Sequence, residues 1–353
     1  MCHRIKNKLW LIHKKVEDKS MNELVRERID ILINNKEVLA KNFKWSYGVM
    51  HIASALVYTS AGQNIDVERL DEAKKYLDKH AGVFSSFKAS AMPMVVSKMA
   101  LSADPAQYFN DLKSVFDRLS KKMIMSDGGY IIQGAINILD ADRLYDADAI
   151  IEKFHDFYKK MNKLHPFITG SEDIAFGILL AMTDRSVDDI INEIETSYAY
   201  LRKTIGMKAG NNEIQGLSMV LALMEGTPEE KCDKAIHIFN EFLARKVKYG
   251  NEYNELASLG ILIDLDVDDT TLVDEILETE EYLSKVKGFG SWTLSKKQRL
   301  MFAAMLVGDC HESKNSTYAA TSTVNSSVAA IIAEEVALMV CIMACTTATT
   351  NCY

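Results

Sequence analysis

Apolar residues recur along this chain at two nested periods. The short one is helical: Val187, Ile190, Ile191, Ile194, Tyr198 and Leu201 fall three and four residues apart, giving one apolar stripe and a charged outer face. The long one is a repeat. The triplets Leu39-Ala-Lys41, Leu77-Asp-Lys79, Leu119-Ser-Lys121, Met161-Asn-Lys163, Leu201-Arg-Lys203, Leu243-Ala-Arg245 and Leu283-Ser-Lys285 return at steps of 38, 42, 42, 40, 42 and 40 residues. About six positions after each triplet's first residue stands a bulky apolar one: Trp45, Phe84, Met125, Phe167, Met207, Tyr249 and Phe289. The spacing predicts that these residues plug the joints between packed units. Such a period marks stacked two-helix hairpins, because one hairpin cannot bury its own apolar face and must share it with a neighbour.

Local signals place the helix ends. Thr227-Pro-Glu-Glu230 is a capping box with Pro at the first helical position, and Asp104-Pro105 opens a helix in the same way. Ser295-Lys-Lys-Gln298 caps the last short helix, and Gly308 is its natural C-cap. The short helices near Ile174–Met182, Ile214–Met224 and Leu256–Leu265 are apolar nearly all round, so they must be covered on every side. No segment alternates with period two. The expected fold is all-α: six to seven two-helix repeats over residues 22–308, stacked as an α/α superhelix or a closed ring.

Residues 309–327, rich in Ser, Thr and Asn, read as a linker, and 328–353 as an apolar helix with a Thr- and Cys-rich end. That helix is a poor membrane span. Its Val, Ile and Leu contribute about −2 to −4 kcal/mol on an insertion scale, while Glu334 and Glu335 at its centre each cost about +2 to +3 kcal/mol. It is expected to dock on the repeat body, or on another copy of the chain as a homo-oligomer contact.

Charge and cysteine usage narrow the partners. The formal charge is −8, yet residues 1–20 hold six Lys or Arg against two acids, so the remaining body is more acidic still. An acidic body argues against nucleic acid and against an anionic membrane. The basic leader, residues 1–21, lacks the apolar run and cleavage site of a signal peptide, and Met21 offers an alternative start. Six cysteines show neither a distributed disulfide pattern nor zinc spacing, which points to a reducing cytoplasm.

The stretches His165-Pro-Phe-Ile-Thr-Gly-Ser-Glu-Asp173 and Gly210-Asn-Asn-Glu-Ile-Gln-Gly-Leu-Ser218 resemble the bacterial family called domain of unknown function 4003, over about residues 22–345. The resemblance implies a cytoplasmic helical protein of Firmicutes type with an Ala-rich C-terminal helix. It carries no activity, cofactor or catalytic residue.

Candidate chemistry concentrates ahead of the short helices. Glu172 and Asp173, Asn212 and Glu213, and Asn254 and Glu255 recur in register, so a stack would bring them to one rim as a ligand site. The competing reading is that they cap helix N-termini. Gln215 and Ser218, polar in an apolar helix, need partners and favour a site. His51 is the one histidine placed on a short helix where a ligand role is open, whereas His165 is expected to cap carbonyls. Cys341 and Cys345 are half a metal site at most, and no nucleotide loop, EF-hand or nucleophile elbow occurs. No cofactor or metal is therefore expected. The leading function is a noncatalytic binder or scaffold for a peptide, protein segment or small molecule. The alternatives are an enzyme with an acidic site at one rim, and a carrier of a modified or cleaved C-terminal peptide.

Overall fold

The computed structural model describes residues 21–82, 85–205, 209–250, 253–312 and 327–341. Among them every regular element is a helix and no strand occurs. The first hairpin pairs α1 (Glu23–Asn42) with α2 (Gly48–Ser60), and the second α3 (Val67–His80) with α4 (Met92–Leu101). Then follow α5 (Pro105–Lys122) with α6 (Gly128–Asp140), α7 (Ala147–Leu164) with α8 (Ile174–Ala181), and α9 (Val187–Thr204) with α10 (Asn211–Leu221). α11 (Pro228–Ala244) pairs with a 3-10 helix, Tyr253–Ile261, and α12 (Asp269–Ser284) with α13 (Lys296–Glu312). A last helix, α14, spans 327–341.

Pattern dictates which helix lies where. The long helices bury one stripe: in α5 it is Phe109, Leu112, Val115 and Leu119, with charged residues facing outward. Their starts are capped as local chemistry requires, by Asp66, Asp104, Ser186, Thr227 and Asp268, each accepting a backbone N–H of the first turn. The short helices are covered all round: in α10 every residue from Ile214 to Leu221 is buried, and in α6 every residue from Tyr130 to Ile138. They form the inner layer and the long helices the outer one.

Contacts run from each hairpin to the next, and the last hairpin also packs against the first. There Arg28 pairs with Asp309 at 3.1 Å, the Arg26 guanidinium lies 4.5 Å over the Tyr282 ring, and Lys36 Nζ donates to the Lys287 carbonyl at 3.3 Å. Gly48 sits against Thr293 so closely that a Cβ there would lie 2.7 Å from its Cγ2. At the same seam the helix does not stop at Gly308. α13 continues to Glu312, because Asp309 pairs with Arg28, Cys310 is buried and His311 bonds Glu275 at 2.6 Å.

The residues expected to plug the joints divide into two groups. Tyr249 and Phe289 are fully buried, but Trp45, Met125 and Phe167 are 99%, 96% and 98% exposed; Phe84 and Met207 lie outside the described residues. Backbone geometry separates them. Ahead of the buried pair the chain turns through a left-handed residue, Lys246 at φ 60° or Gly288 at φ 86°, which folds the next residues inward. Ahead of the exposed three, the cap residues Phe43, Met123 and His165 share φ of −116° to −130° and ψ of 51° to 63°, so the chain runs on past the edge. In those hairpins the joint is filled from the cap itself: Phe43 and Met123 are buried, and His165 is half-buried with Nε2 2.6 Å from Glu195 Oε1, so it meets a carboxylate rather than carbonyls.

Candidate functional site

The acids ahead of the inner helices engage their own turns. Asp173 Oδ2 accepts the Gly170 N–H at 2.9 Å, Glu172 folds its carboxylate over the same glycine, and Glu213 does so over Gly210. Glu255 Oε2 accepts the N–H of Gly250, a glycine held at φ 80°, at 3.1 Å. One link crosses between hairpins: Gln215 Nε2 donates to Asp173 Oδ2 at 3.3 Å and to the Ile168 carbonyl at 3.2 Å. Burial, reinforced by the charge of Glu172 and opposed by the Gly170 and Gln215 bonds, pushes the Asp173 carboxyl up to about 8. The structure thus joins Asp173 to Gln215 and ties Glu213 and Glu255 to their own glycines.

The other candidates serve the helices. Ser218 Oγ donates to the Ile214 carbonyl at 2.8 Å within α10. Asn212 is half-buried in the first turn of α10, and Asn254 stands in the 3-10 helix Tyr253–Ile261. His51 Nε2 lies 2.9 Å from the Phe43 carbonyl that ends α1, and burial holds its imidazole below the ordinary range. Among the described residues no group of three or more His, Cys, Asp or Glu is arranged to hold a metal ion.

A different constellation forms around α14. Eight consecutive residues, Ile331 to Leu338, are all buried, which on a helix means cover on every side. On one side the cover is α2, α4 and α6. Ser327 meets the cleft at Ser60 and Asp140, where those helices end, whereas Leu338 reaches Gly129 near the start of α6 and Cys341 shares a cavity with Tyr47 and Met92. α14 therefore runs antiparallel to the inner helices that enclose it. Gln133 Nε2 donates to the Ile331 carbonyl at 2.8 Å.

The two glutamates are accommodated separately. Glu334 shares with Lys98 and Asp140 a cleft of about 320 Å³, also lined by Leu56, Asn137 and Ala330. Lys98 Nζ lies 2.5 Å from Asp140 Oδ2, and the Tyr108 hydroxyl donates to Asp140 Oδ1 at 3.1 Å. Burial pushes the Glu334 carboxyl up to about 8, with Lys98 opposing and Asp140 adding. Burial disfavours the Lys98 ammonium, but Asp140 and Glu334 hold it above its usual range. Glu335 lies near Tyr130, whose hydroxyl is raised by burial and then by that carboxylate.

Sequence reasoning did not single out Lys98, Gln133 or Asp140. Each does leave a signal: Lys98 is the lone charge in MPMVVSKMAL, Gln133 is with Asn137 one of two amides in an otherwise apolar stretch, and Asp140 is an acid at a helix C-terminus, where the dipole disfavours it.

Among the described residues no helix is long and apolar enough to cross a membrane. No curated protein and no solved structure matches the chain. Residues 35–337, from the middle of α1 into the enclosed part of α14, match the model of a family described as protein of unknown function (DUF4003), and the chain belongs to that family.

Proposed function

We propose that the hairpins form a closed α/α ring that is a noncatalytic cytoplasmic receptor for an apolar helix, and that in this chain the receptor is filled by its own C-terminal segment. The observation that supports the reading is the burial of every residue from Ile331 to Leu338, with α2, α4 and α6 against Glu334 and Leu338. The first-to-last contacts at Arg28 and Asp309 support the ring. The ligand class follows from the lining: a helix of small and branched apolar residues with an acidic pair at its centre, one acid reaching Lys98 and the other Tyr130. The row of acids ahead of the inner helices then holds the turns that frame the hollow.

A truncated chain ending at residue 312, which keeps Asp309 and the whole of α13, tests this. A labelled peptide of residues 327–344 should bind the truncated chain and fail to bind the full-length one, whose hollow is occupied. Equal, weak binding to both would remove the receptor reading. Exchange of α14 between two copies is the homo-oligomeric form of the same contact, and would appear as a concentration-dependent mass.

A second reading keeps the enzyme alternative at another place. Glu334, neutral up to about pH 8, and Asp140 both meet Lys98 in one cleft, a juxtaposition suited to acid and base roles on a small ligand. Saturable binding of a small molecule that Glu334→Gln abolishes, with α14 still docked, would favour it. The carrier alternative concerns residues 342–353, outside the described residues, and intact mass from the native host would test it.

A further inference from the structure

The outer helices all start at one edge of the molecule and end at the other; the acids ahead of the inner helices, Glu172, Asp173, Glu213 and Glu255, share that second edge, so its basic character is confined to segments that carry none of them. The starts carry Asp66, Asp104, Asp188, Glu229 and Asp268. The ends carry the lysines of the repeating triplets. Helix dipoles account for that much. They do not account for large apolar side chains held in water on the basic edge.

Trp45, Met125 and Phe167, each two residues beyond an outer-helix cap of the same backbone geometry, are almost fully exposed, as are Ile124 and Trp292 on neighbouring turns. Burial of the first three at the joints was the cheaper outcome for folding, since exposed apolar surface forgoes hydrophobic stabilisation. The two tryptophans mark a concentrated patch. Residues 41–47 and 285–297 contain six lysines and no acid. The seam places these segments side by side, with Gly48 against Thr293 and Lys36 bonded to the Lys287 carbonyl. Lys41, Lys44, Lys287 and Lys296 are exposed, and no carboxylate among the described residues pairs with any of them.

We propose that this edge docks on an anionic lipid surface, with Trp45 and Trp292 seated at the headgroup level and the seam lysines facing the lipid phosphates. Three observations favour a bilayer. Tryptophan flanked by lysine is the chemistry of the membrane interface, where an amphipathic ring and a cation each find their medium. Ile124 and Met125 offer no flat face for stacking on a base, so a nucleic-acid platform would leave them unmatched. Residues at equivalent turns of successive hairpins stand along one edge, where a single flat apolar medium covers them together and a groove-bound peptide does not. The acid-free lysine cluster at the seam, rather than the net charge, orients the molecule on such a surface.

The test uses the full-length chain with vesicles of phosphatidylcholine alone or mixed with phosphatidylglycerol. Co-sedimentation and a blue shift of tryptophan emission should appear with the mixed vesicles and weaken as salt is raised. Trp45→Ala with Trp292→Ala should abolish the emission shift and most of the binding. Both side chains are fully exposed, so the fold, checked by circular dichroism, should be unaffected. Lys44→Glu with Lys287→Glu should lower binding by roughly tenfold or more. The basic leader is common to all variants, so binding that survives both double changes overturns the proposal. Equal binding to neutral vesicles also overturns it. So does tryptophan quenching by oligothymidylate or polyglutamate without vesicle binding, which would assign the edge to nucleic acid or to an acidic protein.

Discussion

Asp173 shows what one buried acid does to the stability of this fold. Its carboxyl moves from an ordinary value of 3.8 to about 8 when the chain folds. Between about pH 4 and 8 the native state therefore holds a proton that the unfolded chain has released, and stability falls as pH rises through that window. Asp173→Asn keeps an oxygen for Gly170 and Gln215 but cannot ionise. It should flatten part of the decline in denaturation midpoint, the remainder belonging to Glu334, raised into the same range. An unchanged slope would mean that Asp173 is ionised when buried. Leu201→Ala is the packing counterpart: the side chain is fully buried on α9, and its loss should cost about 2 to 5 kcal/mol in urea unfolding. Residue by residue, the sequence is most readable where chemistry is local. Thr227 and Glu230 form the reciprocal capping box that their spacing announces. Trp45 and Met125 were misjudged because their side depends on the torsion angles of a cap two residues earlier, which composition does not reveal.

At the scale of an element, α14 is held by groups far from it in sequence. Its apolar content and two glutamates announce a helix that needs cover, whereas Lys98, Gln133 and Tyr130 become its partners only when the chain folds back. The helix is legible and its seat is not. Removing residues 313–353, which leaves α13 and its seam contacts whole, should expose the inner faces of α2, α4 and α6, increase binding of a hydrophobic dye and promote aggregation. A truncated protein with unchanged dye binding and heat resistance would show that α14 does not cover them in solution. Helix ends were harder than helix faces. Gly308 looks like a C-cap until Arg28 and Glu275 supply reasons, from opposite sides of the seam, for α13 to continue.

For the molecule as a whole, the seam where the last hairpin packs on the first is the contact on which the proposed ring rests. Arg28 and Asp309 form a half-buried pair there, and burial pushes the Asp309 carboxyl up to about 6 despite Arg28. A double-mutant cycle with Arg28→Ala and Asp309→Ala should give a coupling of about 1 kcal/mol. Zero coupling would mean that the hairpins stand open in solution. The repeat period made an all-α body readable, but closure depends on the small turn each hairpin makes relative to the last, and no single residue encodes that. The net charge of −8 likewise conceals the acid-free lysine cluster of residues 41–47 and 285–297.

Closure also sets an order of events. The bond from Lys36 to Lys287 spans 251 residues, and the one from Gln133 to Ile331 spans 198. While the protein is being made, the early hairpins can stack on one another as they leave the ribosome, yet the two bonds must wait until Lys287 and Ile331 have emerged. Throughout synthesis the inner faces of α2, α4 and α6 wait uncovered, a long apolar exposure of the kind that slows maturation and attracts chaperones. The segment that ends the wait follows every hairpin along the chain, so a chain cut short before α14 would be left with an open centre.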